Sequence, residues 1–314
     1  MARPDPQPGV LSPEQQERAR HPFLLRADYQ RHRVEQHLAH LYATFLLPWW
    51  QSGARDGGSA PLEGCIVDTR PSEHLRNVIA NVLVLAPAHT RVQLFTSDAA
   101  QAAMQTLLEP WQQQVQVVAL EACTALTVEG YSDLLCTPAF WQRFTTERVL
   151  VFQADSLMLR PIRPSDGLEP YGYLGAPWRR NQQQIYAIPA FNSARERIGS
   201  HQSAIQFCSG IPETIRHNYG NGGFSWRCPR LMERLCSQHE RAAEEPEDIF
   251  YSRHLAASSS AIADLPTASR FAVETIFHPD PVGCHNAWAY LKDAEVSHLL
   301  HQHLYTVAGL CRRP

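Results

Sequence analysis

Between Gly64 and Phe152, short apolar runs alternate with longer helical ones, and this alternation constrains the fold more than any single motif. Cys65-Ile66-Val67 ends at Asp68-Thr69-Arg70. Ser72 to Leu85 then carries apolar residues at helical spacing, at Leu75, Ile79, Val82 and Leu83. Val92 to Phe95, Val115 to Leu120 and Val149 to Phe152 are further strand-like runs, separated by a helical stretch (Ala99 to Leu108) and by short helices over Ser132 to Phe144. Strands alternating with helices at this spacing predict a largely parallel sheet covered on both faces. Open sheets of this kind bind ligands beyond the carboxyl ends of their strands. The fourth run leads straight into Gln153-Ala154-Asp155-Ser156, which places a carboxylate at such an end.

The 314 residues can bury a sizeable core as one large domain or two ordinary ones. Net charge is −3, which argues against a general nucleic-acid or acidic-membrane surface. The eight cysteines are scattered without a C-x-x-C pair, as expected in a reducing compartment. The most hydrophobic run, Leu41 to Trp50, is too short to span a bilayer and contains Pro48. A soluble, cytoplasmic protein without an integral membrane segment is expected. The basic residues are almost all arginine, Lys292 being the only lysine, which fits composition bias as readily as phosphate recognition.

Residues 1–11 are polar and Pro-rich and expected to be disordered, with one or two helices beginning at Ser12-Pro13 and ending near Trp49-Trp50. Residues 55–60 have the composition of a linker. The expected organisation is a disordered start and N-terminal helical extension over 1–60, an α/β domain over 61–300 and a tail over 301–314. The long polar stretch 179–219 suits a lid or binding loop. Beyond it, the pattern predicts an apolar strand after a Gly-rich turn, a helix near Leu231, a helix from Pro246 and a last strand near Phe271 to Phe277.

Several groups could carry chemistry, and each also has a plain structural reading. Asp68 and Arg70 stand where a strand hands over to a helix, a favourable place for an anion, yet Arg70 is equally a surface arginine beside an N-cap. Asp155 is a hard oxygen ligand of the kind Mg²⁺ or Mn²⁺ takes, or a turn residue. Gln153 and Ser156 are polar companions suited to a ribose or water. Gly222-Gly223 allows close backbone approach to a ligand, or simply a hairpin turn. Glu247 and Asp248 are dipole-favoured acids of a first helical turn, or a general base. His285 follows a Gly turn after the last strand, where a late ligand could fold back over the site.

Taken together and in order, these pieces resemble a known family. Tyr131-Ser132-Asp133-Leu134-Leu135, Phe140-Trp141 and Val149 to Ser156 are similar to the "LL…FW…vLiFQtDs" signature of the DUF5672 proteins. Tyr173 to Trp178, Asn221 to Ser225, Pro246 to Phe250 and Gly283-Cys284-His285 extend the likeness, which runs from about Gly64 to Trp288. More distantly, the order resembles the β-1,4-galactosyltransferases, with Arg70 ahead of Glu73-His74-Leu75 and Gln153-Ala154-Asp155 at the place of their D-x-D motif. Gln153 replaces the first acid of that motif, one carboxylate fewer for a metal.

The resemblance implies a GT-A-like, Rossmann-type mixed sheet, mainly parallel and flanked by helices. It implies a glycosyltransferase moving a sugar from a nucleoside diphosphate sugar to a hydroxyl of a glycan or other acceptor, metal-assisted and inverting. Asp155 and His285 would hold a divalent cation, Mn²⁺ or Mg²⁺. Asp68, Arg70, Gln153, Asp155, Ser156, Trp178, Gly222 and Gly223 would bind the donor, and Asp248, or else Glu247, would be the base. The alternative is a non-catalytic sugar-nucleotide or glycan-binding module of the same fold, which Gln153 favours.

Overall fold

The computed structural model describes residues 13–53, 62–120, 126–178, 220–243, 245–255 and 263–312. In chain order the helices are α1 (Pro13–Leu41), α2 (Leu47–Gln51), α3 (Glu73–Leu85), α4 (Asp98–Leu107), α5 (Val128–Leu135), α6 (Pro138–Trp141), α7 (Pro229–Gln238), α8 (Glu247–Leu255), α9 (Leu265–Phe271), α10 (Ala287–Tyr290) and α11 (Asp293–Cys311). The strands are β1 (Glu63–Val67), β2 (Arg91–Ser97), β3 (Val115–Leu120), β4 (Val149–Phe152), β5 (Ser156–Met158), β6 (Tyr173–Pro177), β7 (Gly220–Arg227), β8 (Ala272–Val273) and β9 (Gly283–His285).

Six strands form the main sheet in the order β3-β2-β1-β4-β7-β6. The first four are mutually parallel, and β7 runs antiparallel between β4 and β6. The largely parallel sheet expected from the alternation is therefore present, in the mixed form that the family resemblance implies. Strand order reverses between β1 and β4, and the carboxyl ends at such a switch point are where open sheets of this kind form their ligand crevice. Asp68 follows β1 and Gln153 follows β4, so the two flank the crevice.

Period-two alternation along the strands divides the core into two layers. Ile66, Leu94, Leu150 and Phe152 join a cluster with Val34 and Leu38 of α1, Val78 and Ile79 of α3, and Val296 and Leu299 of α11. Cys65, Val67, Phe95, Val149 and Val151 join Leu135, Phe140, Trp141, Met232, Phe250 and Tyr251 on the opposite face. The N-terminal helical extension is thus part of the core that backs the sheet. Among the described residues, no helix is long and apolar enough to cross a membrane.

Local signals explain the helix starts. The Ser72 hydroxyl accepts from Leu75 N at 3.1 Å and caps α3, Thr127 caps α5 through Gly130 N at 3.0 Å, and Asp264 caps α9 through Thr267 N at 2.8 Å. Two expectations need correction. The last strand, expected over Phe271 to Phe277, is reduced to Ala272–Val273: the helix capped by Asp264 takes Phe271, and β9 pairs only Ala272 with Gly283 and Val273 with Cys284. The boundary expected at 300 falls inside α11, which runs unbroken to Cys311 and buries His303 and Val307. Residues 1–12, the linker 55–60 and the suggested lid 179–219 lie outside the described residues.

A second, small sheet, β5-β9-β8, brings the chain's late segment to the crevice. Its register pairs Ser156 with His285, so the residue preceding Ser156 lies beside the imidazole. Asn286 N donates to Asp155 O at 2.8 Å and fastens the two ends together. Asn286 itself adopts φ 43°, a left-handed conformation that asparagine tolerates better than most residues.

Candidate active site

Three chain segments meet at the carboxyl end of β4. The Gln153–Ser156 turn is fixed to β7 by Gln153 N donating to Gly223 O at 2.9 Å. The Ser156 hydroxyl reinforces this, donating to the same carbonyl at 2.6 Å and accepting from Gln153 N at 3.2 Å. Ser156 is buried, and its hydroxyl serves the turn. On the other side, His74 Nε2 lies 2.8 Å from Ala154 O and links the turn to the start of α3.

His285 sits at the centre. Nδ1 is 3.2 Å from Glu274 Oε1, and Nε2 is 3.2 Å from Asp155 Oδ1 and 3.1 Å from Gln153 Oε1. Burial favours the neutral ring. The Asp155 and Glu274 carboxylates outweigh it, through charge and hydrogen bonds, and push the imidazole up to about 10. Burial likewise pushes Asp155 up, but His285 beside it holds the carboxyl below its ordinary value. Glu274 is raised, because its burial and the nearby Asp155 outweigh the pull of His285. The Asp155 side chain keeps 45 % of its exposure, so it is the part of this network open to a ligand.

Glu274 was not singled out in the sequence, where it sits in the apolar run Phe271-Ala272-Val273-Glu274-Thr275-Ile276-Phe277. An acid in such a run is itself a signal, because a buried carboxylate needs a partner.

Gly222 and Gly223, which fall inside strand β7 and not in the turn expected ahead of it, separate this cluster from the acids of α8. Gly222 N donates to Asp248 Oδ2 at 3.2 Å. Burial raises the Asp248 carboxyl, with Glu247 adding to it and the Gly222 amide opposing. Glu274 also raises it and Arg227 lowers it, leaving the group at about 7. Glu247 is placed differently. Both its oxygens accept from the buried Arg227, at 2.7 and 2.9 Å. Arg227 also escaped notice in the sequence, since it closes a strand twenty residues before its partner.

The glycines are needed for protein packing as well as for any ligand. A Cβ on Gly222 would overlap Glu247 and Arg227, and one on Gly223 would overlap the His285 ring. Asp68 is buried beneath Arg70, with Arg70 Nε and Nη2 each 3.1 Å from its carboxylate oxygens. The Arg70 side chain is 83 % exposed, so it stands at the rim of the crevice as a fork held from below. Trp178 is buried just after β6.

Among the described residues, no three His, Cys, Asp or Glu side chains gather into a metal-holding group. The donors present fit a site completed by the ligand: Asp155 Oδ1 and His285 Nε2 are neighbours with Gln153 Oε1 beside them. Ions such as Mg²⁺ are commonly held by one or two side chains together with substrate phosphates and water. The Glu274 carboxylate on Nδ1 is the kind of partner that orients a metal-binding imidazole. An ion at Nε2 would first displace the proton there.

The chain is similar in structure to mouse xyloside xylosyltransferase 1 in its apo form, at 12% identity over 72% of this chain and 97% of that one, with a TM-score of 0.43. It is also similar to the mannosyltransferase PcManGT from Pyrobaculum calidifontis in complex with GDP-Man and Mn²⁺, at 13% identity over 72% of this chain and 64% of that one, with a TM-score of 0.39. No curated protein matches the sequence. Residues 114–285, more than half of the chain and including Asp155, Asp248 and His285, match one family, and the chain accordingly belongs to the DUF5672 proteins, a family of unknown function.

Proposed function

We propose that the chain is a glycosyltransferase that moves a sugar from a nucleoside diphosphate sugar to an acceptor hydroxyl in a single inverting displacement. The observation that carries this reading is the convergence of Asp155, His285 and Asp248 around the Gly222-Gly223 stretch of β7, at the carboxyl end of β4 next to the switch point of the sheet.

Each residue has a role that its position supports. Arg70, braced by Asp68, offers guanidinium donors to the nucleotide at the crevice rim. Asp155 and His285, with Gln153 Oε1 alongside, would hold a divalent ion, Mn²⁺ or Mg²⁺, whose charge offsets that gathering on the diphosphate. Ser156 fixes the Gln153–Ser156 turn on Gly223, and Gly222, Gly223 and Trp178 would shape the donor pocket. Asp248 accepts the proton of the acceptor hydroxyl. The acceptor oxygen bonds to the anomeric carbon from the face opposite the diphosphate, and the bond from that carbon to the phosphate oxygen breaks with its electron pair. A carboxyl titrating near neutrality suits a general base.

Gln153 favours a second reading, a non-catalytic sugar-nucleotide or glycan-binding module. Slow release of nucleoside diphosphate from a donor in the presence of Mn²⁺ separates the two. The site itself is tested by a thermal-shift screen of UDP, GDP and their sugars with and without Mn²⁺. A ligand at about 100 times its Kd adds about 2.7 kcal/mol of stability. Stabilisation that needs Mn²⁺ and disappears in Asp155→Ala is expected; no stabilisation by any nucleotide contradicts the reading.

A further inference from the structure

Arg227 closes a circuit of polar contacts without any solvent exposure. Its Nη1 and Nη2 donate to the two oxygens of Glu247. Nη2 also donates to Gly222 O at 3.2 Å, and Nε donates to the Ser225 hydroxyl at 2.8 Å. That hydroxyl donates in turn to Gly222 O at 2.8 Å. Gly222 N then donates to Asp248, which follows Glu247 in the chain and so completes the circuit. The guanidinium carbon lies 5.0, 5.4 and 5.7 Å from the ring centroids of Tyr173, Tyr251 and Trp141.

A buried ion pair is a poor source of stability, because desolvation offsets much of its attraction and well-packed apolar residues often serve as well. What this pair supplies is geometry. The planar fork fixes the Glu247 carboxylate, and with it the first turn of α8. The same guanidinium also holds the Gly222 carbonyl, on the residue whose own N–H donates to Asp248. One side chain therefore braces the residues on both sides of the hydrogen bond at the proposed base.

We propose that Arg227 and Glu247 are positioning residues for the Asp248 carboxylate, an inference that rests on the transferase reading only for what Asp248 then does. The charged and titratable groups facing Asp248 are Glu247 from its own helix, Arg227 from β7, Tyr173 from β6 and Glu274 from beyond β8.

The test is a carbon-13 NMR titration of the aspartate carboxyls in the full chain, with the Asp248 signal assigned by its loss in Asp248→Asn. In Glu247→Gln the repulsion from Glu247 disappears and Arg227 is left unbalanced, so the Asp248 midpoint falls by about one pH unit or more. A folded Glu247→Gln protein with the wild-type midpoint overturns the proposal. If that variant does not fold, Arg227→Lys decides, since it keeps the charge and loses the fork. The Gly222 amide is then expected to exchange hydrogen about tenfold faster while the Trp226 amide is unchanged. Wild-type protection at Gly222, or equal loosening of both amides, contradicts it. These readouts follow the carboxylate and its donor and not turnover, so a failure of transferase activity remains a separate result.

Discussion

Gly223 lies against the imidazole of His285 so closely that a Cβ at position 223 would overlap the ring. The only side chain that lets β7 pass this close to His285 is hydrogen, and the Gly223 carbonyl on the same residue anchors Gln153 and Ser156. Backbone and ring thus share the space between β4, β7 and β9.

Gly223→Ala is therefore expected to displace the His285 ring and to cost about 1–3 kcal/mol of stability, the range typical of overpacking. Denaturant unfolding measures the cost. Mn²⁺-dependent stabilisation by nucleotide should weaken in the same variant; a variant as stable as wild type with unchanged Mn²⁺ dependence would show that the ring has room to move without consequence.

Glu274→Gln tests the carboxylate behind His285. Removing such a partner from a metal-binding imidazole typically lowers metal affinity by about 10–100-fold. An electron paramagnetic resonance titration of Mn²⁺ with UDP or GDP present should show a loss of that size, while nucleotide binding in the absence of metal stays close to wild type. Equal Mn²⁺ affinity in the two proteins would remove Glu274 from the site.

Asp248 makes a prediction about stability as well as chemistry. Its folded value, about 7, lies above the ordinary carboxyl value because of burial first and Glu247 second. A raised carboxyl value means that the folded state holds the proton more tightly than the unfolded state does. The associated stability is present at low pH and is lost as pH rises from about 4 through about 7. Asp248→Asn carries no such charge, so relative to wild type it should gain about 1–3 kcal/mol on moving from pH 5 to pH 8. Thermal unfolding at the two pH values measures this; a variant that tracks wild type at both means that Asp248 is not held in a carboxylate-disfavouring place.

The back of the sheet carries the opposite dependence. His37 Nε2 lies 3.1 Å from His303 Nδ1, and His303 Nε2 is 2.8 Å from the Asn81 amide, which also accepts from Met158 N at 2.9 Å. Burial lowers His37 to about 4, with His40 and His301 adding to it, and burial with His37 lowers His303 strongly. The unfolded chain binds these protons more readily, so stability falls as pH drops from about 6.5 towards about 4. His37→Gln should flatten that acid loss, and a stability profile unchanged in slope would contradict it.

The sheet was legible because β1, β2, β3 and β4 are apolar runs that end in polar residues at each carboxyl end. Asp155 could be placed at the crevice from sequence alone for the same reason. Its partners could not be ranked from sequence. Glu274 meets His285 only through the β8-β9-β5 pairing, and Arg227 meets Glu247 only after β7 enters the sheet antiparallel. Glu247 and Asp248 look equivalent as adjacent acids of a first turn, yet one faces a buried guanidinium and the other the Gly222 amide. The extent of α11 was missed because its polar residues hide the buried line of Val296, Leu299, Leu300, His303 and Val307.

In the proposed reaction Asp248 removes the acceptor proton while Asp155 and His285 serve the donor diphosphate. Its most direct test is release of nucleoside diphosphate from a panel of UDP- and GDP-sugars with Mn²⁺, to water or to simple glycosides, for wild type and Asp248→Asn. Wild type is expected to release nucleoside diphosphate from at least one donor, with release falling as pH drops below about 7. In Asp248→Asn transfer is expected to be reduced about 100-fold or more at unchanged nucleotide affinity. Transfer by Asp248→Asn at the wild-type rate would contradict it.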